Sequence, residues 1–574
     1  MVVTRFGGPA FAALRDVLGH VRGGDPMTAV DVAVPSAFAG ITVRRRFADP
    51  GLVGVRFASL PRLIADRALP VLAAAGVQPL TSAQRRAVVR GVLARSDGAL
   101  ADSARRSART VDAVAGVFAE LEESAAGAAV IGTLAAGGRW PAELAVLYRQ
   151  YLDAVTAAAG PDEVAEAALA SRRDTPLIVY LPRRLTRIEL GFCDGIAVRG
   201  QLHVVVAMTG EEAADRDALA IRDALDPAPA TAAPPFPARA RAQTCGLPDA
   251  EEEARYAVRR IFAQLETQPG TCLDRIAIAY RAATPYARLV SEQLSAAGLP
   301  HHAPPQRSLA CTVPGRTLLG LLRLAGTQWS RAAVLGWLRD APVRDGGSRL
   351  PTAMWQRLAA EAGVTRGTAG QWTAKLERFA AATEQLAAGE GDTRAAERAA
   401  SARALAGFVT GAAQRVGELN AAGTWAEAAV LLGKILDHYL GGAKAAASWG
   451  SQPDTLADLD VRARCDVERT AYEETLAVID GLGSLDAAGV PVDAGTLRDV
   501  LDQELAHDVR EAAGVGRGVL VGPLRDVVGA DLDLLIIVGT AEGSYPPRGR
   551  EHPLLRDAIR TGIGLRTLSD RRAS

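Results

Sequence analysis

The chain has 574 residues, 49% hydrophobic and 23% charged, which is long enough for roughly three to four globular domains. Sixty-five basic residues balance 65 acidic ones. That composition excludes wholesale disorder and a chain-wide basic field, so any contact with nucleic acid has to come from local patches. All but three of the basic residues are arginines, the lysines being Lys375, Lys434 and Lys444. With the abundance of alanine, this reads as the coding bias of a GC-rich genome.

In chain order, a helical stretch over Pro9–Arg22 runs into the turn Gly23-Gly24-Asp25-Pro26 and a β-branched run, Val30–Val34, closed by Pro35-Ser36. A second strand is predicted at Val53–Phe57. Ser59 then caps a helix that begins near Pro61 and turns Leu63, Ile64 and Leu69 to the core. Helical pattern dominates from about Thr81 to Ala170, and two further strands follow at Leu177–Tyr180 and Leu202–Ala207. Together these predict a parallel-sheet domain with a helical insertion.

Five prolines lie between Asp226 and Pro237, a composition that favours extended backbone and places a linker at 227–247. Asp249–Glu266 reads as an amphipathic helix with Ala254, Val258, Ile261 and Leu265 on its apolar face. A strand at Arg275–Tyr280 follows, then a helix over Pro285–Ala297 stopped by Gly298. From Leu318 to His507 strand pattern is almost absent. Six of the seven tryptophans fall between Trp329 and Trp449, where they are expected as core or interface anchors of a helical block. Strand signals return at Val519–Val521 and Leu532–Val538.

Several chemistries are missing. No GxxxxGK[ST] phosphate cradle occurs; the one Gly-Lys pair, Gly433-Lys434, has Ala428 at the first glycine position and Ile435 after it. Leu181-Pro182 stands at the end of the 177–180 strand, where magnesium coordination calls for carboxylates. A PD-(D/E)XK nuclease needs an acid two residues before its lysine, and Thr373, Leu432 and Gly442 occupy those positions here. The five cysteines form no CxxC pair, and the seven histidines form no HxH or HxxxH set. No apolar run approaches the ~18 residues of a membrane span, and no signal-peptide core opens the chain, so a cytoplasmic protein without membrane contact is expected.

Two segments are more specific. One runs from Asp249-Ala-Glu-Glu-Glu253 through Ile276-Ala-Ile-Ala-Tyr-Arg281 to Ala297-Gly-Leu-Pro300 and Leu309–Leu324. The other is Leu534–Val538 with Gly539-Thr-Ala-Glu-Gly-Ser-Tyr-Pro546, followed by Pro553-Leu-Leu-Arg-Asp557. The first resembles the start of the second motor domain of superfamily 1 helicases of the UvrD/RecB type. The second is similar to the region before the last helicase motif in AddB-type subunits of helicase–nucleases. The N-terminal stretch, with Val30–Ser36 and Phe57–Leu63, resembles actinobacterial proteins grouped in the PD-(D/E)XK nuclease family.

The resemblance implies an α/β fold of two degenerate RecA-like P-loop lobes with large helical insertions. Its parts are a first lobe over 1–226, the linker, the start of the second lobe over 248–317, a helical insertion over 318–510, and the end of the second lobe over 511–574. It implies that Arg281 is a vestige of the ATP γ-phosphate contact, with ATP and magnesium belonging to the family and no cofactor held by this chain. The family's His-x-x-Lys-Gly-Leu-Glu motif is replaced by Val521–Val528, and Glu542 and Gly543 are expected to shape a loop. AddB-type subunits continue into a nuclease domain, so the chain reads as a truncated or split product, with neither a catalytic residue nor a metal site.

Two arginine clusters are candidate DNA contacts, because the guanidinium fork binds two phosphate oxygens. They are Arg44, Arg45 and Arg46, expected after a strand and turn, and Arg183, Arg184 and Arg187 at another strand end. The implied role is a DNA-binding, helicase-like scaffold in double-strand break processing and recombinational repair. It would be nucleoid-associated in the cytoplasm and paired with a motor helicase–nuclease subunit. A helical protein-interaction module and an active ATP-dependent helicase are the alternatives.

Overall fold

The computed structural model describes residues 1–47, 52–124, 127–155, 158–171, 173–225, 242–303, 307–341, 343–387, 393–447, 456–488, 492–507, 509, 518–545, 549 and 551–573. Most of the expected linker at 227–247, the junction expected at 510–511, Trp449 and Pro546 lie outside these residues. The fold is α/β with parallel sheets. The chain divides into two compact units, one made of 1–304 with 513–574 and the other of 305–512.

The first unit opens with β1 (Val2–Arg5), β2 (Val30–Ala33) and β3 (Val55–Ala58). Two-residue strands β4 (Gln78–Pro79) and β5 (Ala158–Ala159) pair in parallel and frame a helical insert, after which come β6 (Leu177–Tyr180) and β7 (Leu202–Met208). The five longer strands form one parallel sheet in the order β1-β7-β6-β2-β3. Every residue of β2 and β6 is buried, as expected of strands covered on both faces. The period of two divides β6 between two cores. Leu177 and Val179 pack with Leu63 and Ile64 of helix Leu60–Ala74 and Phe192 of helix Arg187–Ala197. Ile178 and Tyr180 pack with Phe11, Leu14 and Leu18 of helix Gly8–Arg22.

Asp31, on β2, is also buried, and charged partners make that tolerable. Arg67 reaches it from helix Leu60–Ala74 at 2.8 Å and Arg56 from β3 at 2.9 Å. Leu69 on the same helix is 48% exposed rather than turned to the core. The buried set 60, 63, 64, 67, 68 and 72 follows the helical period, and Leu69 lies about 150° from the centre of that stripe. Ser59 occupies the N-cap position, but its side chain makes no capping bond.

The helical insert runs from Ser82–Arg95 through Ala99–Arg106, Ala108–Glu122 and Gly127–Ala136 to Arg139–Ala154. Phe118 packs against Tyr148 and Tyr151 with ring centroids 5.1 Å apart, and Arg85 pairs with Glu122 at 2.7 Å.

The second sheet brings together β8 (Ile276–Tyr280) and β9 (His301–His302) with strands from the far end of the chain. The small hairpin β10 (Arg344–Asp345) and β11 (Ser348–Arg349) lies between them in sequence and belongs to the second unit; then come β12 (Val519–Pro523) and β13 (Leu534–Val538). The order is β13-β8-β12-β9, all parallel. Leu534 pairs with Ile276 and Val538 with Tyr280, so the two segments singled out in the sequence are neighbouring strands. One face is covered by helices Ala250–Thr267 and Tyr286–Ala296, with Ile261, Val290 and Leu294 against Ile276 and Ile278. On the other face Ala277 and Ala279 leave room for Phe38, which comes from helix Ala37–Arg46 beside the first sheet.

In the second unit, helices carry almost all the structure. Trp337 and Trp355 cluster with Phe408, Trp337 donates to the Thr317 carbonyl at 3.0 Å, and Trp372 and Trp425 are at most 1% exposed. The described tryptophans of this block are therefore core side chains, and Trp372 donates its indole N–H to the Trp329 carbonyl at 2.8 Å. Among the described residues no helix is long and apolar enough to cross a membrane.

Candidate functional site

Parallel sheets present their ligand-binding loops at the carboxyl ends of the strands. In the first unit the ends of β2 and β6 meet the end of β12 across a cavity of about 370 Å3. Pro35, Ser36 and Arg183 line it from the first sheet, and His302, Arg525 and Asp526 from the second.

Ser36 is the joint of this cleft. Its hydroxyl accepts the Ala39 N–H at 3.0 Å, capping helix Ala37–Arg46, and donates to the Asp526 carbonyl at 2.9 Å. The backbones approach closely around it. Leu181, buried, turns with φ 50°, and Gly529 has φ 77°; a Cβ on Gly529 would lie 3.2 Å from Leu181 and 3.4 Å from Pro35. Burial lifts the Asp526 carboxyl above the usual aspartate range, and the Arg525 guanidinium, 3.7 Å away, opposes that rise.

The predicted arginines separate into engaged and available ones. Arg44, Arg45 and Arg46 do not follow a strand and turn; they form the last turn of helix Ala37–Arg46, because Ser36 starts a helix immediately after β2. Arg45 pairs with Asp274 at 2.9 Å, Arg46 with Asp531 at 2.6 Å, and Asp531 also takes Arg275 at 3.0 Å. Arg46 additionally lies 4.8 Å over the Phe11 ring, whereas Arg44 stands 5.8 Å from the Phe57 ring. Arg187 Nη2 donates to both Asp162 carboxylate oxygens, at 2.7 and 2.8 Å. Burial raises the Glu123 and Glu189 carboxyls above the usual glutamate range, and Arg184 opposes that rise in both. Arg183 alone of the six lines the cleft, with its side chain exposed. Arg281 is exposed directly after β8 and is not among the residues lining the cleft.

The two family-like segments meet at Glu253. This residue accepts the Gly539 N–H on one oxygen at 2.7 Å and the Tyr286 hydroxyl on the other at 3.0 Å. Gly539 has φ 75°, and a Cβ there would come within 2.6 Å of the Tyr286 ring. Burial, with the Glu253 hydrogen bond second, pushes the Tyr286 phenol up to about 12. Glu542 and Gly543 lie in the turn over 541–545, which is closed by a Tyr545 N–H to Ala541 carbonyl bond of 3.1 Å.

One corner went unmarked in the sequence. β1 leads through Gly7, with φ 80°, directly into helix Gly8–Arg22, a strand–turn–helix unit of the kind that cradles phosphate. The signal was Gly7-Gly8-Pro9 after a β-branched run. The residues there do not fit a nucleoside triphosphate with magnesium. No lysine or hydroxyl follows the glycines, and the turn after β6 offers Leu181 and Pro182 in place of carboxylates. Among the described residues no three His, Cys, Asp or Glu side chains come together to hold a metal ion. No family model matches the sequence, and no curated protein matches it.

Proposed function

We propose that this chain is a helicase-like DNA-binding scaffold, of the kind found in AddB-type helicase–nucleases, acting on double-strand ends in recombinational repair. Its two α/β lobes correspond to RecA-like motor lobes that have kept their sheets and lost the chemistry of ATP hydrolysis; a motor subunit supplies movement. The observation that carries this reading is the parallel pairing of Leu534–Val538 with Ile276–Tyr280, locked by Glu253 onto Gly539. It joins two segments more than 250 positions apart in the same sheet, as the family resemblance requires. Arg183 at the cleft is the first candidate for a phosphate contact, and Arg44 the second. Arg45, Arg46 and Arg187 serve ion pairs instead.

The test is affinity for single-stranded DNA measured against salt. Counterion release predicts a slope of about −0.7 in log K against log salt for each phosphate neutralised. No binding at low salt would leave only a protein-interaction module. DNA-stimulated ATP hydrolysis that is lost on Arg281→Ala would replace the scaffold with an active motor.

A further inference from the structure

A second groove lies away from the cleft, in the same compact unit. It encloses about 560 Å3 between the helical insert and the segment 553–559. Trp140, in the first turn of helix Arg139–Ala154, stands at it with 48% of its surface exposed, whereas the other described tryptophans are buried. An indole costs apolar exposure unless something stacks on it. Arg109, Arg139 and Arg556 surround it from three different elements. All three are exposed, and none has an ion-pair partner among the described residues.

Three acids close to the groove are engaged elsewhere. Glu143 accepts the Leu100 N–H at 2.7 Å, Asp102 pairs with Arg105 at 2.6 Å, and Asp557 accepts the Leu568 N–H at 2.9 Å. Helices Ala108–Glu122 and Arg139–Ala154 both begin at the groove, and neither carries an acidic residue in its first turn. The third wall is fixed in place. Arg560, one turn beyond Arg556, is 2% exposed and lies 2.8 Å from Glu120 of the insert, and Arg566 reaches Asp217 at 3.1 Å. The positive charge is thus held around the indole by packing.

From this charge and aromatic complementarity we infer that the groove binds single-stranded DNA, one base stacking on Trp140 while Arg109, Arg139 and Arg556 hold the flanking phosphates. The inference rests on the DNA-binding reading above and assigns it a location that neither arginine cluster covers. Phosphate alone does not account for the exposed indole, and an apolar partner does not account for three unpaired guanidinium groups. A flexible strand supplies an aromatic face and anionic oxygens together, and stacking platforms beside cationic grooves are its general mode of capture.

The experiment uses the full chain and a fluorescein-labelled oligothymidine of about 20 nucleotides, long enough to cross one groove. Binding is followed by anisotropy across a salt series and by quenching of tryptophan fluorescence. Changing Arg109, Arg139 and Arg556 together to alanine is expected to flatten the salt slope by about 2, near 0.7 for each phosphate lost. Trp140→Ala is expected to weaken binding about tenfold with the slope unchanged, and Trp140→Phe to retain most of the affinity. All four side chains are exposed, so thermal unfolding should be that of the parent. If the parent binds and these variants bind equally, the groove assignment fails while the DNA-binding reading stands. If the parent does not bind at low salt, that reading fails and the groove assignment with it.

Discussion

The carboxylate of Glu253 accepts the backbone N–H of Gly539 at 2.7 Å, tying the helix that opens the second α/β region to the residue that follows its last strand. The same carboxylate takes the Tyr286 hydroxyl, and Gly539 sits where a side chain would strike the Tyr286 ring. Gly539→Ala therefore has to move an aromatic ring and also holds alanine at positive φ. The expected loss is about 2 kcal/mol or more. Gly564→Ala, also at positive φ but with open space around its Cβ, should lose about 1 kcal/mol. Urea unfolding of the two variants side by side checks the difference.

Asp31 and Arg67 form a buried ion pair in which Arg67 Nε and Nη2 both donate to one Asp31 oxygen, at 3.0 and 2.8 Å. Asp31→Asn leaves the Arg67 guanidinium, 1% exposed, without its counter-charge, and should cost about 3–5 kcal/mol. Replacing Asp31 by Leu and Arg67 by Met together should recover much of that. A double variant no more stable than Asp31→Asn would mean that the pair is worth more than the desolvation it carries.

Arg46 and Arg183 are expected to separate stability from binding. Arg46→Ala loses the Asp531 ion pair and the contact with Phe11, together worth about 1–2 kcal/mol at partly exposed positions. A double-mutant cycle with Asp531→Ala isolates the pair, and the coupling should weaken with salt. Arg183→Ala should leave the unfolding temperature alone and lower affinity for single-stranded DNA, with one fewer phosphate in the salt slope.

Asp526 gives a pH dependence whose sign follows from its raised pKa. A carboxyl that binds its proton more tightly when folded makes stability fall as pH rises from the unfolded value, near 3.8, through the folded one. At neutral pH the charged side chain is thus a net cost. Asp526→Asn should raise stability at pH 7, with the gain vanishing below about pH 4. The Ser36 bond is unaffected because it uses the Asp526 backbone carbonyl. Denaturant midpoints for both proteins from pH 3 to 8 check this, and a midpoint gain that grows toward acid pH would contradict it.

Much of the local structure was legible in the residues. Asp249 caps its helix with bonds of 2.9 Å to the Glu251 and Glu252 amides, Ala254 and Ile261 face inward, and Gly298 follows the next helix with φ 67°. Each depends on periodicity or on the conformational preference of one residue. β1 was missed because four residues beside a terminus carry too little pattern, and their strand character comes from pairing with β7. The candidate site was less legible. Arginine clusters are visible in the sequence, but their partners Asp274, Asp531 and Asp162 are remote along the chain, and Pro35-Ser36 reads as the end of a strand, whereas Ser36 is a cap facing Asp526.

By itself the sequence determined where most helices and the longer buried strands form, because backbone propensity and apolar spacing act over a few residues. Only the tertiary structure decided that Leu534–Val538 lies beside Ile276–Tyr280, that Phe38 fills the space over Ala277 and Ala279, and which guanidinium groups stay unpaired. Strand order and charge pairing depend on which distant surfaces are buried together, and that choice is made by packing across the whole compact unit rather than by any local segment.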